Sequence, residues 1–225
     1  MRMDKRIDWR ALRSRAVQRL ALELASVACA CSGEGHARPV TAMGLRFPSP
    51  VGIAAGFDRY GRLARRVAAL GFGFNEIGSL TANEVAQLGV MHNGSARLGI
   101  SLTLDARQAS AESRAMLRAA WPHADYLMLN PIGPTSAPLL SQSTRLRHLL
   151  AALCEEQRQL NQDGRRRVPL LAKLRCMPER TPFSIAGLLV ELGFDGLLAA
   201  HDPGPPATAE RYRAWQDAQR QAQAC

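Results

Sequence analysis

The sequence predicts an α/β fold built on a parallel sheet that is covered on both faces. Two observations predict it. Short, continuous apolar runs recur at Val51–Ala55, Phe74–Gly78, Leu98–Leu102, Tyr126–Leu129, Leu170–Leu174 and Gly196–Ala200. Strands buried on both sides read as such unbroken runs and not as alternating ones. Helix-like stretches fill the intervals at Gly61–Leu70, Ser110–Trp121, Thr144–Leu160 and Phe183–Leu192, as connections between parallel strands require. About six strands suit an open doubly wound sheet, and equally a (β/α) barrel two strands short of closure.

Ahead of the sheet, Asp8–Val27 reads as a helix. Asp8 supplies a capping carboxylate at its start. Trp9, Leu12, Ala16, Leu20, Leu24 and Val27 recur at three- and four-residue steps and form one apolar stripe, with Arg10, Arg13 and Arg19 off it. This basic amphipathic pattern suits two placements. The stripe packs on the protein body with the arginines in water, which is the expectation adopted here, or it rests on an anionic membrane surface. Gly33 and Gly35 end the helical region. Beyond the sixth strand, Asp202–Pro206 reads as a turn-rich break. Thr208–Cys225 then forms a terminal helix with Tyr212, Trp215, Ala218 and Ala222 on one face, expected to cover an open sheet edge. The division is thus a basic helical region over 1–37 and an α/β body over 38–225.

A chain of 225 residues supports one good core. Its 47% hydrophobic and 21% charged residues are ordinary for a soluble globular domain. The apolar runs fall far short of the roughly 20 residues of a membrane span, and no secretory signal pattern is present. A cytoplasmic protein is expected. Cys29, Cys31, Cys154, Cys176 and Cys225 form no CxxC pair, and no histidine stands near one at zinc-ligand spacing, so reduced thiols and no metal site are expected. A net charge of +10 favours anionic partners. An arginine-solvated surface gives the same number, so nucleic acid is not expected as a partner. Neither a Walker loop nor a GxGxxG after a strand occurs.

Arg38–Thr81 reads RPVTAMGLRFPSPVGIAAGFDRYGRLARRVAALGFGFNEIGSLT. It resembles the opening of the barrel in the class 2, quinone-dependent dihydroorotate dehydrogenases, where a short β-hairpin precedes a PxGxAAGxDK strand end and a GFGxxExGTxT strand follows. Asn130–Leu140, NPIGPTSAPLL, resembles the fourth-strand loop that holds the family's catalytic serine. Val168–Glu179, VPLLAKLRCMPE, resembles the fifth strand with its flavin-contacting lysine, and Glu191–Asp202, ELGFDGLLAAHD, resembles the sixth. The resemblance spans about Arg38 to Asp202. It implies an incomplete (β/α) barrel of the TIM type with about six parallel strands, an N-terminal amphipathic helix and a C-terminal helix. It also implies a flavoprotein of pyrimidine biosynthesis. In that family a base removes a proton from C5 of dihydroorotate while hydride passes from C6 to FMN, and quinone reoxidises the flavin. The N-terminal helix falls where the family keeps its membrane- and quinone-contacting helices, which implies peripheral contact with the inner face of the cell membrane.

Carried over residue by residue, Ala54, Ala55 and Gly56 match the strand end beside the flavin. Tight barrel packing would select the same small residues. Ser79 stands for a threonine and keeps a hydroxyl for the flavin or its phosphate, and Ser101 stands for the third-strand asparagine. Asn130 matches an asparagine that touches flavin and substrate. Lys173 matches the lysine at the electron-rich end of the flavin; a lone buried charge has few structural reasons to exist. Arg59 replaces a substrate-side lysine, keeping charge while changing hydrogen-bond geometry. Thr135 falls at a substrate-binding asparagine. Ala200 and His201 replace a Thr-Asn pair, His201 keeping a donor for a ligand carbonyl or standing as a surface histidine.

The catalytic serine position is Gly133, anchored by Asn130 before it and Pro134 after it. Glycine has no group to take a proton, and losing a positioned base typically costs about 10²- to 10⁴-fold. Thr135 and Ser136 are neighbouring hydroxyls able to substitute. Two stretches are also missing. Ala82–His92 follows Thr81 without the proline-rich, NRxGFNN-like clamp on orotate, and strands seven and eight, whose loops commonly hold phosphate, do not occur. FMN is therefore expected with its phosphate grip weakened or lost. The expectation is a dihydroorotate dehydrogenase-like protein with a binding or regulatory role and no oxidation of dihydroorotate. One alternative is an FMN-dependent oxidoreductase acting on a CH–CH bond, completed by a homodimer or a complementing chain. The other is a peripheral binder of anionic membrane or nucleic acid.

Overall fold

The computed structural model describes residues 9–31, 38–133, 135–164, 166–176 and 182–201. Asp8 and the Thr208–Cys225 helix lie outside these residues. The expected strands are present as β3 (Gly52–Ile53), β4 (Phe74–Leu80), β5 (Arg97–Thr103), β6 (Tyr126–Asn130), β7 (Leu170–Cys176) and β8 (Gly196–His201). They form one parallel sheet in the order β3-β4-β5-β6-β7-β8. A doubly wound sheet reverses its order at a switch point. Here each strand stands beside its successor, which is barrel order, and the six strands of the described residues form an incomplete (β/α) barrel. An antiparallel hairpin precedes it, β1 (Val40–Ala42) with β2 (Leu45–Phe47), as the resemblance implies.

Contacts divide the chain into two compact units. Unit 1 comprises Met1–Ser101 and Ala120–Tyr126; unit 2 comprises Leu102–Ala119 and Leu127–Cys225.

In unit 1, helix α1 (Trp9–Cys31) runs four residues beyond the expected Val27. Its expected apolar stripe is not the face that packs. Leu22, Ala25 and Cys29 lie in a cluster with Leu63, Val67 and Ala68, around a 3₁₀ helix at Ala64–Leu70. Val17, Leu20, Leu24 and Val27 are 61–63% exposed, about half a turn away. Polar partners explain the choice of face. Arg62 pairs with Glu23, Arg66 Nη2 donates to Ser26 Oγ at 3.4 Å, and Gln18 Nε2 donates to the carbonyls of Gly56 and Phe57. Gln18 and Ser26 lie on the Leu22–Cys29 side and Glu23 at its border, so docking that side serves all three.

The 3₁₀ helix begins later than Gly61 because the chain first wraps a buried carboxylate. Asp58 Oδ1 accepts the Arg62 N–H at 2.7 Å, and Oδ2 accepts those of Leu63 and Ala64 at 2.9 and 3.0 Å. Asn75 Nδ2 of β4 donates to the same carboxylate at 2.7 Å and to the Ala64 carbonyl at 3.1 Å. Gly73 makes the neighbouring close approach. A Cβ there would overlap the backbone of Ser49, while its own N–H donates to Val51 O at 2.7 Å.

In unit 2, β6 pairs with β7 from Leu127↔Leu170, and β7 with β8 from Leu171↔Gly196. Leu129, Ala172 and Leu174 border a small apolar void with Leu146, Leu150 and Leu189, the last three from α5 (Ser143–Asp163) and α6 (Phe183–Leu192). Helix α3 (Ser110–Ala120) is tied to α5 by Arg114 and Arg118, which donate to Glu156 at 2.7 and 2.8 Å. Two one-turn helices were not expected, α2 (Ala82–Val85) in unit 1 and α4 (Ala137–Leu140) in unit 2. A capping box between Thr81 and Glu84 starts the first of these.

Candidate functional site

Ligand sites in parallel α/β folds collect at the carboxyl ends of the strands. In unit 1 the chain leaves β3 through Ala54, Ala55 and Gly56. Ala54 and Gly56 are exposed and Ala55 is half-buried, so nearly bare backbone faces outward. Ser79 and Ser101, near the ends of β4 and β5, share a hydrogen bond of 2.8 Å between hydroxyls. Ser101 is fully buried and Ser79 half-buried.

The Arg59 side chain is held by Glu84. Its Nη2 donates to both oxygens of Glu84 at 2.9 and 3.0 Å, and its Nε to Oε1 at 3.3 Å. The guanidinium also lies 5.6 Å from the ring centre of Tyr60. The hydrogen bond to Glu84 holds Arg59 above its ordinary pKa. Burial pushes the Glu84 carboxyl up, and hydrogen bonds from Thr81 and Arg59 together pull it further down, leaving it below the usual range. The charge at position 59 is thereby engaged with the turn that follows β4.

In unit 2, Asn130 closes β6, and its Oδ1 accepts the Ile132 N–H at 3.0 Å. Gly133 follows with φ +153°, and its carbonyl accepts the N–H groups of Ser136 and Ala137 at 3.2 and 3.1 Å. A Cβ at Gly133 would meet nothing within 4 Å. There is room for a side chain, but the backbone conformation is one that L-residues rarely adopt. Ser136 is fully buried and donates its hydroxyl to the Leu104 carbonyl, a structural engagement. The Thr135 carbonyl accepts the Ala106 N–H at 2.9 Å.

Lys173 sits on β7 with 8% exposure. It lines a cavity of about 430 Å³ together with Pro131, Ile132, Gly133, Leu140 and Arg175. Arg175 is exposed on the same strand and is the residue that sequence reasoning missed. The signal was available: residues two apart on a strand share a face, so Arg175 accompanies Lys173 while Leu174 also borders the void beneath α5 and α6. His201 closes β8 opposite Cys176; its side chain lies outside the described part. Unit 2 therefore brings Gly133 and Lys173 to one cavity, and unit 1 brings Ser79 to Ser101. Among the described residues, no group of three or more His, Cys, Asp or Glu is placed to hold a metal ion.

No family model matches the chain. Curated proteins do match. A "Dihydroorotate dehydrogenase (quinone)" of Cellvibrio japonicus (strain Ueda107) is 31% identical over 201 residues, covering 72% of this chain and 59% of the relative. One of Stenotrophomonas maltophilia (strain R551-3) is 33% identical over 202 residues, covering 72% and 58%. The chain thus spans less than two thirds of the length of these relatives. Among solved structures, DHODH from Eimeria tenella in complex with ferulenol superposes with a TM-score of 0.63 at 21% identity, covering 94% of this chain and 72% of that one. The ligand-free form gives 0.65 at 20%, covering 88% and 73%. These last two speak for the fold. With AAGFD leading out of β3, GFGFNEIGSLT spanning β4, NPIG leading out of β6 and AKLR on β7, the chain is a homologue of the quinone-dependent, class 2 dihydroorotate dehydrogenases.

Proposed function

We propose that this chain is a dihydroorotate dehydrogenase-like protein with a binding or regulatory role that does not oxidise dihydroorotate. Gly133 carries the reading. At the position of the family's base it offers no group for a proton, and its φ of +153° disfavours the side chain that would. The neighbouring Ser136 hydroxyl is buried on the Leu104 carbonyl. Removal of a positioned base costs about 10²- to 10⁴-fold.

Each unit, taken by itself, carries groups of the kind that contact a flavin ring. Unit 1 offers exposed small residues at Ala54 and Gly56, and the hydroxyls of Ser79 and Ser101. Unit 2 offers Asn130 and the buried cation Lys173, which suits the electron-rich end of a reduced flavin. When bound, FMN supplies the hydride acceptor; the chain's residues orient the ring and balance its charge. The test is to load the purified protein with FMN, mix it anaerobically with dihydroorotate and follow the blue absorbance. The expected result is no bleaching on the time scale of turnover. Bleaching at a rate within about tenfold of a working enzyme's, well inside the loss expected without a base, would overturn the reading.

A second reading concerns location and rests on the exposed face of α1. Val17, Leu20, Leu24 and Val27 point away from the packed side, with Arg19 on the same exposed stretch. No described helix is long and apolar enough to cross a membrane. An apolar face flanked by arginine suits the surface of an anionic bilayer. Co-sedimentation with phosphatidylglycerol vesicles is expected at low salt and is expected to fade as salt rises. Binding that ignores both salt and a Leu20→Ser/Leu24→Ser double change would remove this face from consideration.

A further inference from the structure

We propose that the outer apolar side of α6 and β8 is a docking surface for the chain's own segment Thr208–Cys225, with Trp215 seated over Gly187.

The surface lies within unit 2. Phe183, Gly187 and Val190 recur at four- and three-residue steps along α6 and share one face. That face is open. Phe183 is 78% and Val190 71% exposed, while Leu189 is buried beside the apolar void. Strand β8 continues the surface. Leu197 and Ala199 stand in register with Ala172 and Leu174 of β7, and residues in register point to the same side of a sheet. Ala172 and Leu174 border the void beneath α5 and α6. Leu197 and Ala199 therefore lie on the helix-covered side, yet both are exposed. Both faces of a parallel sheet are ordinarily covered by helices, and here that side of the last strand in the sheet order is bare.

Connection length and composition name the cover. Six residues, 177–182, separate Cys176 of β7 from Phe183, and six, 202–207, separate His201 of β8 from Thr208. An extended link of that length reaches about 20 Å, against roughly 10 Å between packed helix axes. A segment that leaves β8 as α6 leaves β7 runs beside α6 in the same direction, since successive crossovers share one hand. Read as a helix, Thr208–Cys225 places Tyr212, Trp215, Ala218 and Ala222 on one side, with Arg213, Asp217 and Arg220 on the other. Of its charges, Arg211 falls on the apolar side, in the first turn.

Gly187 fixes the seat. A glycine weakens a helix interior, and a Cβ at this one would meet nothing within 4 Å. Packing of the described residues gives no reason for it. A flat indole laid between Phe183 and Val190 does, because it needs the backbone bare. Helical side chains lean toward the N-terminus, which carries Trp215, one turn deeper in its helix than Gly187 in α6, back to that level. A tethered segment acts at an effective concentration of about millimolar, which favours it over a second copy.

Hydrogen exchange of the full chain, read by mass spectrometry, tests the docking. Amides of 211–225 should exchange at least about tenfold more slowly than an unstructured chain. Val190→Asp puts a charge on the face. Gly187→Met fills the hollow with a better helix former. Trp215→Ala removes the indole and leaves α6 and β8 untouched. Each should return 211–225 to the unstructured rate while the α5 amides stay protected. Leu24→Asp, at a comparably exposed apolar position of α1, should change nothing. Sedimentation at two protein concentrations identifies the occupant: the protected species should be a monomer at both. An unstructured rate in the parent, or protection that survives any of the three substitutions, would overturn the proposal. So would protection that appears only as the mass rises to that of a dimer, which would give the face to a second copy.

Discussion

In unit 1 the strand-end residues of the family motif bind one another; in unit 2 the corresponding residues border open volume. Asp58 is fully buried and accepts four hydrogen bonds from its own neighbourhood. Arg59 is held by Glu84, Ser79 by Ser101, and Gly73 is pressed against Ser49. Beside the unit 2 cavity stand Gly133, Lys173 and Arg175. A motif persists for whichever reason is strongest at each position. In AAGFD and GFGFNE that reason is folding, so the stretch that best reveals ancestry says least about chemistry. The proposed loss of chemistry turns on the loop after β6, where Gly133 has a φ of +153°.

The largest way to break this contrast is Asp58→Ala. It strands the buried N–H groups of Leu63 and Ala64, removes the acceptor of the half-buried Arg62 N–H and takes one of the two acceptors of the Asn75 amide, an expected cost on the order of 3–5 kcal/mol. Against a typical total of about 5–15 kcal/mol, the variant should unfold at much lower urea. A loss under about 1 kcal/mol would show that Asp58 is not the keystone of the turn, and the motif would need a ligand-binding explanation. Gly133→Ser is the counterpart in unit 2. No atom obstructs the new side chain, so the expected cost is backbone strain alone, about 1–3 kcal/mol in the same urea assay. A neutral result would mean the loop relaxes readily, and the missing base would be a simple deletion.

The interface between α3 and α5 in unit 2 sharpens the comparison through pH. Burial pushes the Glu156 carboxyl up, but the hydrogen bonds from Arg114 and Arg118 together outweigh it and hold the group below the usual range. A carboxyl with a folded pKa below its unfolded value stabilises above the unfolded value, and that stabilisation is lost as pH falls through the folded one. Glu156→Gln should therefore cost about 1–2 kcal/mol near neutrality and progressively less in acid. A difference between the two proteins that stays constant down to pH about 2, below the carboxylate range, would show that the ion pairs contribute nothing.

Strand and helix positions were legible because apolar runs and their spacing are local signals, whereas the barrel order of the strands was legible only through the family resemblance. The one-turn helices were not, since four residues carry too little periodicity, although the Thr81–Glu84 capping box was there to be read. The site was legible at Gly133 and Lys173 through their motifs. Arg175 was visible only by asking which residue shares a strand face with Lys173. The engagement of Ser136 was hidden because its partner, Leu104, lies 32 residues earlier. Asp58 was hidden likewise, its partner Asn75 being 17 residues away. The face of α1 was misjudged for a different reason. Periodicity locates a stripe but does not say whether a partner exists for it, and here Glu23, Ser26 and Gln18 found theirs on the opposite side.

That helix supplies the smallest expected effect. Leu22 packs beside Leu63 and Val67, whereas Leu24, two positions on, is 63% exposed. Leu22→Asn should cost about 1–2 kcal/mol of buried apolar area, while Leu24→Asn should fall within about 0.5 kcal/mol of the parent. Thermal unfolding at two protein concentrations measures both. Equal costs would mean that the exposed stripe is covered in solution. A midpoint that rises with concentration would then identify the cover as a second copy, because only an association between chains responds to concentration. A midpoint that does not change with concentration would place the cover within the chain.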